Sequence, residues 1–143
     1  MSEIIVRSAE PRDFKAVQEI QRAGGAALLT NGDVISLDHM ADQVADPCGI
    51  FGVAESDGEI VGFIYGEKLT APWSLASYFA VRPDFRGTDA YKKLGQWFVD
   101  ESKKHGVQNV LLYADAGDER LVNFYKHFGF NAGGTYVEMI KEV

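Results

Sequence analysis

The stretch VRPDFRGTDAYKKLG, residues 81–95, decides the fold of this sequence. It follows an apolar segment, WSLASYFAV (residues 73–81), and leads into an amphipathic segment that ends near Gly106. The apolar segment is typical of a strand, Arg86 and Gly87 of a tight turn, and the amphipathic segment of a helix. Such a turn leaves backbone N–H groups unpaired at the helix N-terminus, where the helix dipole also favours an anion. The stretch therefore predicts a site for a phosphate-like group.

Length and composition indicate one globular domain. The 143 residues fit a single domain over residues 1–143, and 46% hydrophobic with 24% charged residues is ordinary for a globular chain. No basic segment followed by an apolar run opens the sequence, and no window reaches the roughly 18 apolar residues of a membrane span. The single Cys48 cannot form an internal disulfide. We therefore expect a cytoplasmic protein without a membrane partner.

The charge balance narrows the classes of partner. A formal net charge of −7 disfavours a nucleic-acid partner, because binding a phosphate backbone requires a basic patch. If charge steers a partner at all, that partner is cationic. The alternative is that the negative charge serves only solubility.

Hydrophobic periodicity and turn residues predict a mixed α/β (α+β) fold. The strongest hairpin signal is Asp57 followed by Gly58, between the strand-like runs GIFGVAES and EIVGFIYGEKL. Around it the order β-α-α-β-β-β-α-β-α-β is expected, with a short helix through Leu37 and Val44 and a last strand at residues 135–140. This order implies a mixed, mostly antiparallel sheet with helices on both faces and one parallel crossover after residues 73–81.

Two segments of the sequence resemble the GNAT superfamily, the acyl-CoA-dependent N-acyltransferases. In that family a strand ends in Val-x-Pro-x-x-Arg/Gln-Gly-x-Gly-x-Gly/Ala, and a C-terminal segment ends in Tyr-x-x-x-Gly-Phe. The matching residues here are Val81, Pro83, Arg86 and Gly87, then Tyr125, Gly129 and Phe130. The order of predicted elements agrees with the family along nearly the whole chain.

The resemblance implies an N-acetyltransferase that uses acetyl-CoA as co-substrate. In the family the CoA pyrophosphate lies on the turn before the helix, and the pantetheine arm lies along the preceding strand. Carried over to this sequence, the CoA-binding residues are Phe79, Ala80, Val81, Arg86, Gly87, Thr88, Asp89, Ala90 and Tyr91. The resemblance also makes a homodimer plausible.

The sequence departs from the family pattern at two glycine positions of the turn. Asp89 brings a carboxylate close to two phosphates, and Tyr91 adds bulk where the family keeps the backbone open. Both changes are expected to weaken CoA binding. Thr88 and Asp89 also suit a helix N-cap, so a purely structural role explains the same residues. Backbone donors remain available whatever the side chains, and we expect the turn to bind CoA.

Acyl transfer requires a proton donor for the leaving thiolate, a base for the amine and donors for the oxyanion. The resemblance assigns the proton donor to Tyr125, although its position on an apolar helix stripe also fits a core residue. The strand at residues 73–81 carries no carboxylate, so Glu67, Asp115, Asp118 or a water chain are the candidate bases. Backbone N–H groups at residues 79–81 would stabilise the oxyanion in the family manner.

The sequence offers a few candidates for the acceptor site and its ligand. Tyr65 and Trp73 are candidate substrate-binding residues, together with residues 26–33, and the acidic balance favours a cationic small-molecule or protein amine. No metal site is expected, because the three histidines show no ligand spacing with one another or with Cys48. A different class of function stays open: a GNAT-fold sensor or regulator that binds acyl-CoA without turnover, which the two departures and the missing strand carboxylate favour.

Overall fold

A computed structural model describes residues 2–23, 34–70 and 72–143 of the chain. Two compact units are present, Met1–Leu112 and Tyr113–Val143. In the first unit the strands are β1 (Ile5–Ser8), β2 (Gly49–Ser56), β3 (Glu59–Lys68), β4 (Trp73–Val81) and β5 (Asn109–Leu111), and the helices are α1 (Phe14–Arg22), α2 (Leu37–Ala45) and α3 (Ala90–Lys104). The second unit contains the helix α4 (Glu119–His127).

The five strands form one sheet in the order β1-β2-β3-β4-β5. Neighbouring strands from β1 to β4 are antiparallel, and β4 pairs with β5 in parallel across the α3 crossover. Asp57 and Gly58 have φ values of 52° and 77°, the left-handed backbone of a tight hairpin turn. The predicted fold class, hairpin and parallel unit are therefore confirmed.

Two hydrophobic clusters lie on opposite faces of the sheet. The α3 cluster joins Leu94 and Phe98 of α3 to sheet residues such as Val81. The second cluster joins Phe14 and Val17 of α1 and Met40 of α2 to the other face. Helices thus cover both faces, as predicted, because each strand alternates its side chains between them.

Gly66 allows α3 to lie close to the sheet. A Cβ atom at this position would stand 2.1 Å from the carbonyl oxygen of Leu75 and 2.8 Å from the Phe98 ring. No side chain fits that space, so the ring of Phe98 reaches the backbone of β3 directly. This close approach fixes α3 against the middle of the sheet.

The second unit differs from the prediction in one element. Helix α4 forms as expected, and the Asp118 side chain caps it by accepting a 3.0 Å hydrogen bond from the N–H of Leu121. The strand predicted at residues 135–140 does not form, and these residues are exposed without regular secondary structure. That prediction is wrong for this structure, because an apolar, β-branched pattern makes a segment suited to a strand but is not sufficient to form one. The backbone also needs a partner strand to take up its hydrogen bonds.

Residues 26–33, predicted to line the acceptor pocket, lie outside the described residues. Within the described ranges, no helix is long and apolar enough to cross a membrane. Cys48 is an exposed free thiol in the turn before β2.

Candidate active site

The site is built around the point where β4 leaves β5. The two strands pair only from Trp73 opposite Asn109 to Leu75 opposite Leu111. Beyond Leu75, no described strand of the first unit pairs with residues 76–81 on that side. Within the first unit, the last six of the nine residues of β4 therefore present an open edge next to a parallel neighbour.

A β-bulge lies at the same point. Tyr65 of β3 pairs with Tyr78, whereas the next residue, Gly66, pairs with Ala76, so Ser77 is an extra residue in β4. A bulge bends its strand and increases the local twist. The bulge at Ser77 thus accounts for the divergence of β4 from β5.

The hydrogen-bond pattern tells which backbone groups of β4 face the open edge. The N–H of Arg82 donates to the carbonyl of Val61 at 2.7 Å, which directs the Arg82 backbone towards β3. Because the direction alternates along a strand, Ala80 also faces β3, while Phe79 and Val81 face the open edge. Of the three predicted contacts on β4, Phe79 and Val81 thus have backbone groups directed to that edge, and Ala80 does not.

The turn between β4 and α3 exposes a set of backbone donors. It begins with a single 3₁₀ turn at Pro83–Phe85, and Gly87 has a φ of 86°, which favours glycine. The Thr88 hydroxyl donates to the carbonyl of Phe85 at 2.5 Å and accepts from the N–H of Ala90 at 3.3 Å. In the part of the chain that the structure describes, the backbone N–H groups of Gly87, Asp89 and Lys92 donate to no acceptor. These three donors lie at the positive end of α3.

The two departures from the family pattern each have a local partner. Asp89 makes no side-chain cap on α3, and its Oδ2 lies 3.5 Å from the Nζ of Lys93. The Tyr91 ring packs on Phe79, with a centroid distance of 5.1 Å and a tilt of 56°. The bulk of Tyr91 is therefore directed onto the sheet. Asp89 is the N-cap residue of α3 without a capping side chain, and the N–H of Ala90 donates to the Thr88 hydroxyl instead.

Lys93 and Arg82 are two residues near the turn that the sequence analysis missed. Lys93 follows Asp89 by four residues, a spacing that brings opposite charges together on a helix. Arg82 bonds to Glu59 and Asp84, and its guanidinium lies 4.9 Å from the centroid of the Phe85 ring. The hydrogen bond from Arg82 lowers the pKa of the Asp84 carboxyl. Arg82 thus fixes the start of the turn.

The face of the sheet under α1 and α2 carries two tyrosines near the bulge. The Tyr65 hydroxyl donates to the backbone carbonyl of His39 in α2 at 3.4 Å. Burial raises the pKa of Tyr65 to about 12, with smaller contributions from Tyr78, Glu67 and Asp42. Burial also raises the pKa of Tyr78. Both hydroxyls are therefore neutral hydrogen-bonding groups at physiological pH.

The predicted base and substrate residues are spread along the sheet. Glu67 is partly buried on β3 opposite Leu75, at the end of the β4–β5 pairing. Trp73 is 43% exposed and lines a shallow groove with Leu69, Thr70 and Leu111. It lies at the start of β4, roughly 15 Å along the strand from Tyr78, the cross-strand partner of Tyr65. Tyr65 and Trp73 are therefore separated along the sheet, and a shared acceptor pocket stays a prediction.

The remaining candidates belong to the second unit. Tyr125 is partly buried on α4, and its ring contacts Phe124 and Phe130 at centroid distances of 5.5 and 5.8 Å. Asp115 accepts a 2.9 Å hydrogen bond from the N–H of Gly117, and Asp118 caps α4. Both aspartates thus have local structural roles. Within the described residues, no group of three or more His, Cys, Asp or Glu side chains could hold a metal ion.

The sequence profile of the Acetyltransferase (GNAT) family matches residues 15–130. The chain belongs to this family. The family resemblance of the two sequence motifs is thereby confirmed.

Individual relatives agree with this membership. The mycothiol acetyltransferase of Streptomyces griseus is 32% identical over 133 residues, which are 89% of this chain and 43% of the relative. The chain thus spans less than half the length of this curated relative. Two solved structures share the fold. One is aminoglycoside N-acetyltransferase AAC(6')-Iy in complex with CoA, with a TM-score of 0.81, 15% identity and coverage of 100% of this chain and 97% of that chain. The other is the ribosomal-protein-S18-alanine N-acetyltransferase of Escherichia coli, with a TM-score of 0.75, 20% identity and coverage of 92% and 80%.

Proposed function

We propose that this protein transfers the acetyl group of acetyl-CoA to a primary amine of a small molecule or a protein. The observation that carries the proposal is the open edge of β4, which leads directly to three unpaired backbone donors at the start of α3. A ligand that combines an amide-rich arm with a pyrophosphate is complementary to this arrangement, and coenzyme A has both parts.

The described residues offer backbone hydrogen-bonding groups that suit both parts of CoA. Backbone groups of Phe79 and Val81 face the open edge, where the amides of a pantetheine arm would take the place of a strand. The N–H groups of Gly87, Asp89 and Lys92 would receive the pyrophosphate at the positive end of α3. Arg86, Thr88, Ala90 and Tyr91 shape the turn around these donors.

The proposed reaction is direct attack without a covalent enzyme intermediate. The amine nitrogen bonds to the thioester carbonyl carbon, the C–S bond breaks, and the thiolate leaves as free CoA after it takes a proton. The amine must lose a proton to a base in the same sequence. Backbone N–H groups at the open edge of β4 would stabilise the negative charge on the carbonyl oxygen.

We assign the acid to Tyr125 and the base to Glu67. The Tyr125 assignment rests on the C-terminal motif of the family. The Glu67 assignment rests on its position, because it is partly buried opposite Leu75, where the β4–β5 pairing ends. Its charge makes a smaller contribution than burial to the raised pKa of Tyr65.

The acceptor is proposed to be a cationic amine. The named relatives act on chemically different amines, an aminoglycoside in one case and a ribosomal-protein alanine in another. The net charge of −7 favours a positively charged acceptor over an anionic one. The homodimer and the cytoplasmic location both stay predictions. Sedimentation velocity on the purified chain tests the homodimer.

Calorimetry with acetyl-CoA tests the co-substrate, and a screen of amines for CoA release tests turnover. We expect binding in the micromolar to millimolar range and thiol release with at least one cationic amine. Absence of binding at millimolar acetyl-CoA would contradict the proposal. A matched titration with desulfo-CoA separates recognition of the nucleotide from recognition of the thioester.

The second candidate function is a GNAT-fold sensor that binds acyl-CoA without turnover. The observation that favours it is the absence of any carboxylate from β4. A sensor would bind acetyl-CoA in the calorimeter and release no CoA with any amine. The same pair of experiments therefore separates the two functions.

A further inference from the structure

Lys93 joins the start of α3 to the start of β1. Its ammonium group donates a 2.8 Å hydrogen bond to the backbone carbonyl of Ile4 and lies 3.5 Å from the Asp89 carboxylate. Ile4 is 4% exposed and belongs to the α3 cluster, so its carbonyl is a fixed acceptor. Lys93 is thereby held at one place on the flank of α3.

This contact determines where the Asp89 charge lies. Residues four apart share one flank of a helix, whereas the free N–H groups of the first turn point along the helix axis. The carboxylate contacts the ammonium on the flank and makes no hydrogen bond to the backbone donors of the turn. The donors of Gly87, Asp89 and Lys92 thus stay open although a carboxylate occupies a position where the family has glycine.

We infer that Lys93 is a positioning residue for CoA, which neutralises Asp89 and holds its carboxylate away from the pyrophosphate. The inference rests on the proposed function, because it assumes that the turn receives CoA. An unpaired carboxylate at this position would repel the two phosphates across a few ångströms of partly solvated space. Salt screens this repulsion with a screening length of about 10 Å at 0.1 M ionic strength. We therefore expect an unpaired Asp89 to weaken CoA affinity several-fold, and more strongly at low salt.

The test is a double-mutant cycle on CoA affinity with Lys93→Met and Asp89→Asn. Methionine keeps the apolar stem and the helix propensity of lysine but removes the charge. We expect Lys93→Met to weaken CoA binding three- to tenfold in the Asp89 protein. In the Asp89→Asn background the same change should have less than a twofold effect, because there is no carboxylate left to neutralise.

Three controls make the result specific. Lys103→Met removes an exposed charge from the other end of α3 and should leave CoA affinity unchanged. Pantetheine without its phosphates should bind all variants alike, and Lys93→Arg should restore most of the CoA affinity. Asp89→Asn alone should change CoA affinity by less than threefold, because Lys93 already neutralises the carboxylate.

The outcomes separate this inference from the proposed function. If Lys93→Met weakens CoA binding equally in both backgrounds, Lys93 contacts the phosphates directly and the inference is wrong. A tenfold gain from Asp89→Asn alone would mean that the carboxylate is not neutralised, and would also overturn it. If the unmodified protein binds no acetyl-CoA, the proposed function fails and this inference fails with it.

Discussion

Tyr65 and Tyr78 are cross-strand partners on β3 and β4, and their ring centroids lie 5.9 Å apart. They occupy the last paired position before the bulge at Ser77. The phenol groups therefore lie beside the point where β4 diverges from β5. This places two neutral hydroxyls on the face of the sheet that α1 and α2 cover.

The first prediction concerns the titration of Tyr65. Burial raises its pKa to about 12, above the usual value near 10. A raised pKa means that the folded state binds the proton more tightly than the unfolded state. The resulting stability is fully present below pH 10 and is lost as the pH rises from 10 to 12.

Absorbance of the tyrosinate group measures this titration. Tyr65→Phe should remove one component with a midpoint near pH 12, and the stability of the variant should fall less steeply between pH 10 and 12. Tyr113→Phe, at a 72% exposed position, serves as the matched control. If Tyr65→Phe removes a component that titrates near pH 10, the assignment of a buried Tyr65 is wrong.

The second prediction concerns Tyr125 as the proton donor. Tyr125→Phe should lower turnover by roughly ten- to a thousandfold with little change in acetyl-CoA affinity, as for loss of a general acid. Single-turnover kinetics and calorimetry on the same preparation measure the two quantities. Unchanged turnover with the best amine, or a large loss of thermal stability, would assign Tyr125 to packing on α4.

The third prediction concerns Glu67 as the base. Glu67→Gln should lower kcat by roughly 10²- to 10⁴-fold and remove the acidic limb of the pH–rate profile, because glutamine accepts no proton. Glu3→Gln changes an exposed glutamate before β1 and should leave both quantities unchanged. An intact acidic limb in Glu67→Gln would favour Asp115, Asp118 or a water chain.

The fourth prediction contrasts two glycines in contact with aromatic rings. Gly66→Ala should destabilise the protein by about 3 kcal/mol, because its Cβ would stand 2.1 Å from the Leu75 carbonyl oxygen. Gly95→Ala should be neutral or stabilising by up to about 1 kcal/mol, because its Cβ meets the Phe79 ring at 3.8 Å and alanine favours helix.

Chemical denaturation of the two glycine variants gives both free energies of unfolding. Gly66 lies in β3 and Gly95 in α3, so the two variants contrast a methyl group without room beside the Leu75 carbonyl and the Phe98 ring with one that has room. A Gly66→Ala protein as stable as Gly95→Ala would mean that Gly66 does not lie as close to the Leu75 carbonyl and the Phe98 ring as the structure shows.

Much of the fold follows from local sequence patterns. The Asp57–Gly58 turn requires left-handed backbone, and the runs on either side carry apolar residues suited to buried strands, so the hairpin was predictable. The helices α2 and α3 were predictable from apolar residues at helical spacing. Arg86 and Gly87, between a strand and a helix, likewise indicated the turn that places unpaired donors at the start of α3.

The strand predicted at residues 135–140 shows where local patterns fail. Its residues suit a strand as well as those of β1 do, yet only β1 has a partner in the structure. Pairing depends on residues far away in sequence, and one segment's composition does not contain that information.

The sequence by itself determined the family, the turn and the residue types of the candidate site. Only the tertiary structure decided that β4 parts from β5 after Leu75, that Ser77 is a bulge, and that Phe79 and Val81 face the open edge. Strand register and the direction of backbone groups depend on hydrogen bonds between distant segments. The ion pair between Asp89 and Lys93 depends on both the sequence and the tertiary structure. The spacing of the two residues is visible in the sequence, while the fold brings the Ile4 carbonyl to the place where it binds Lys93.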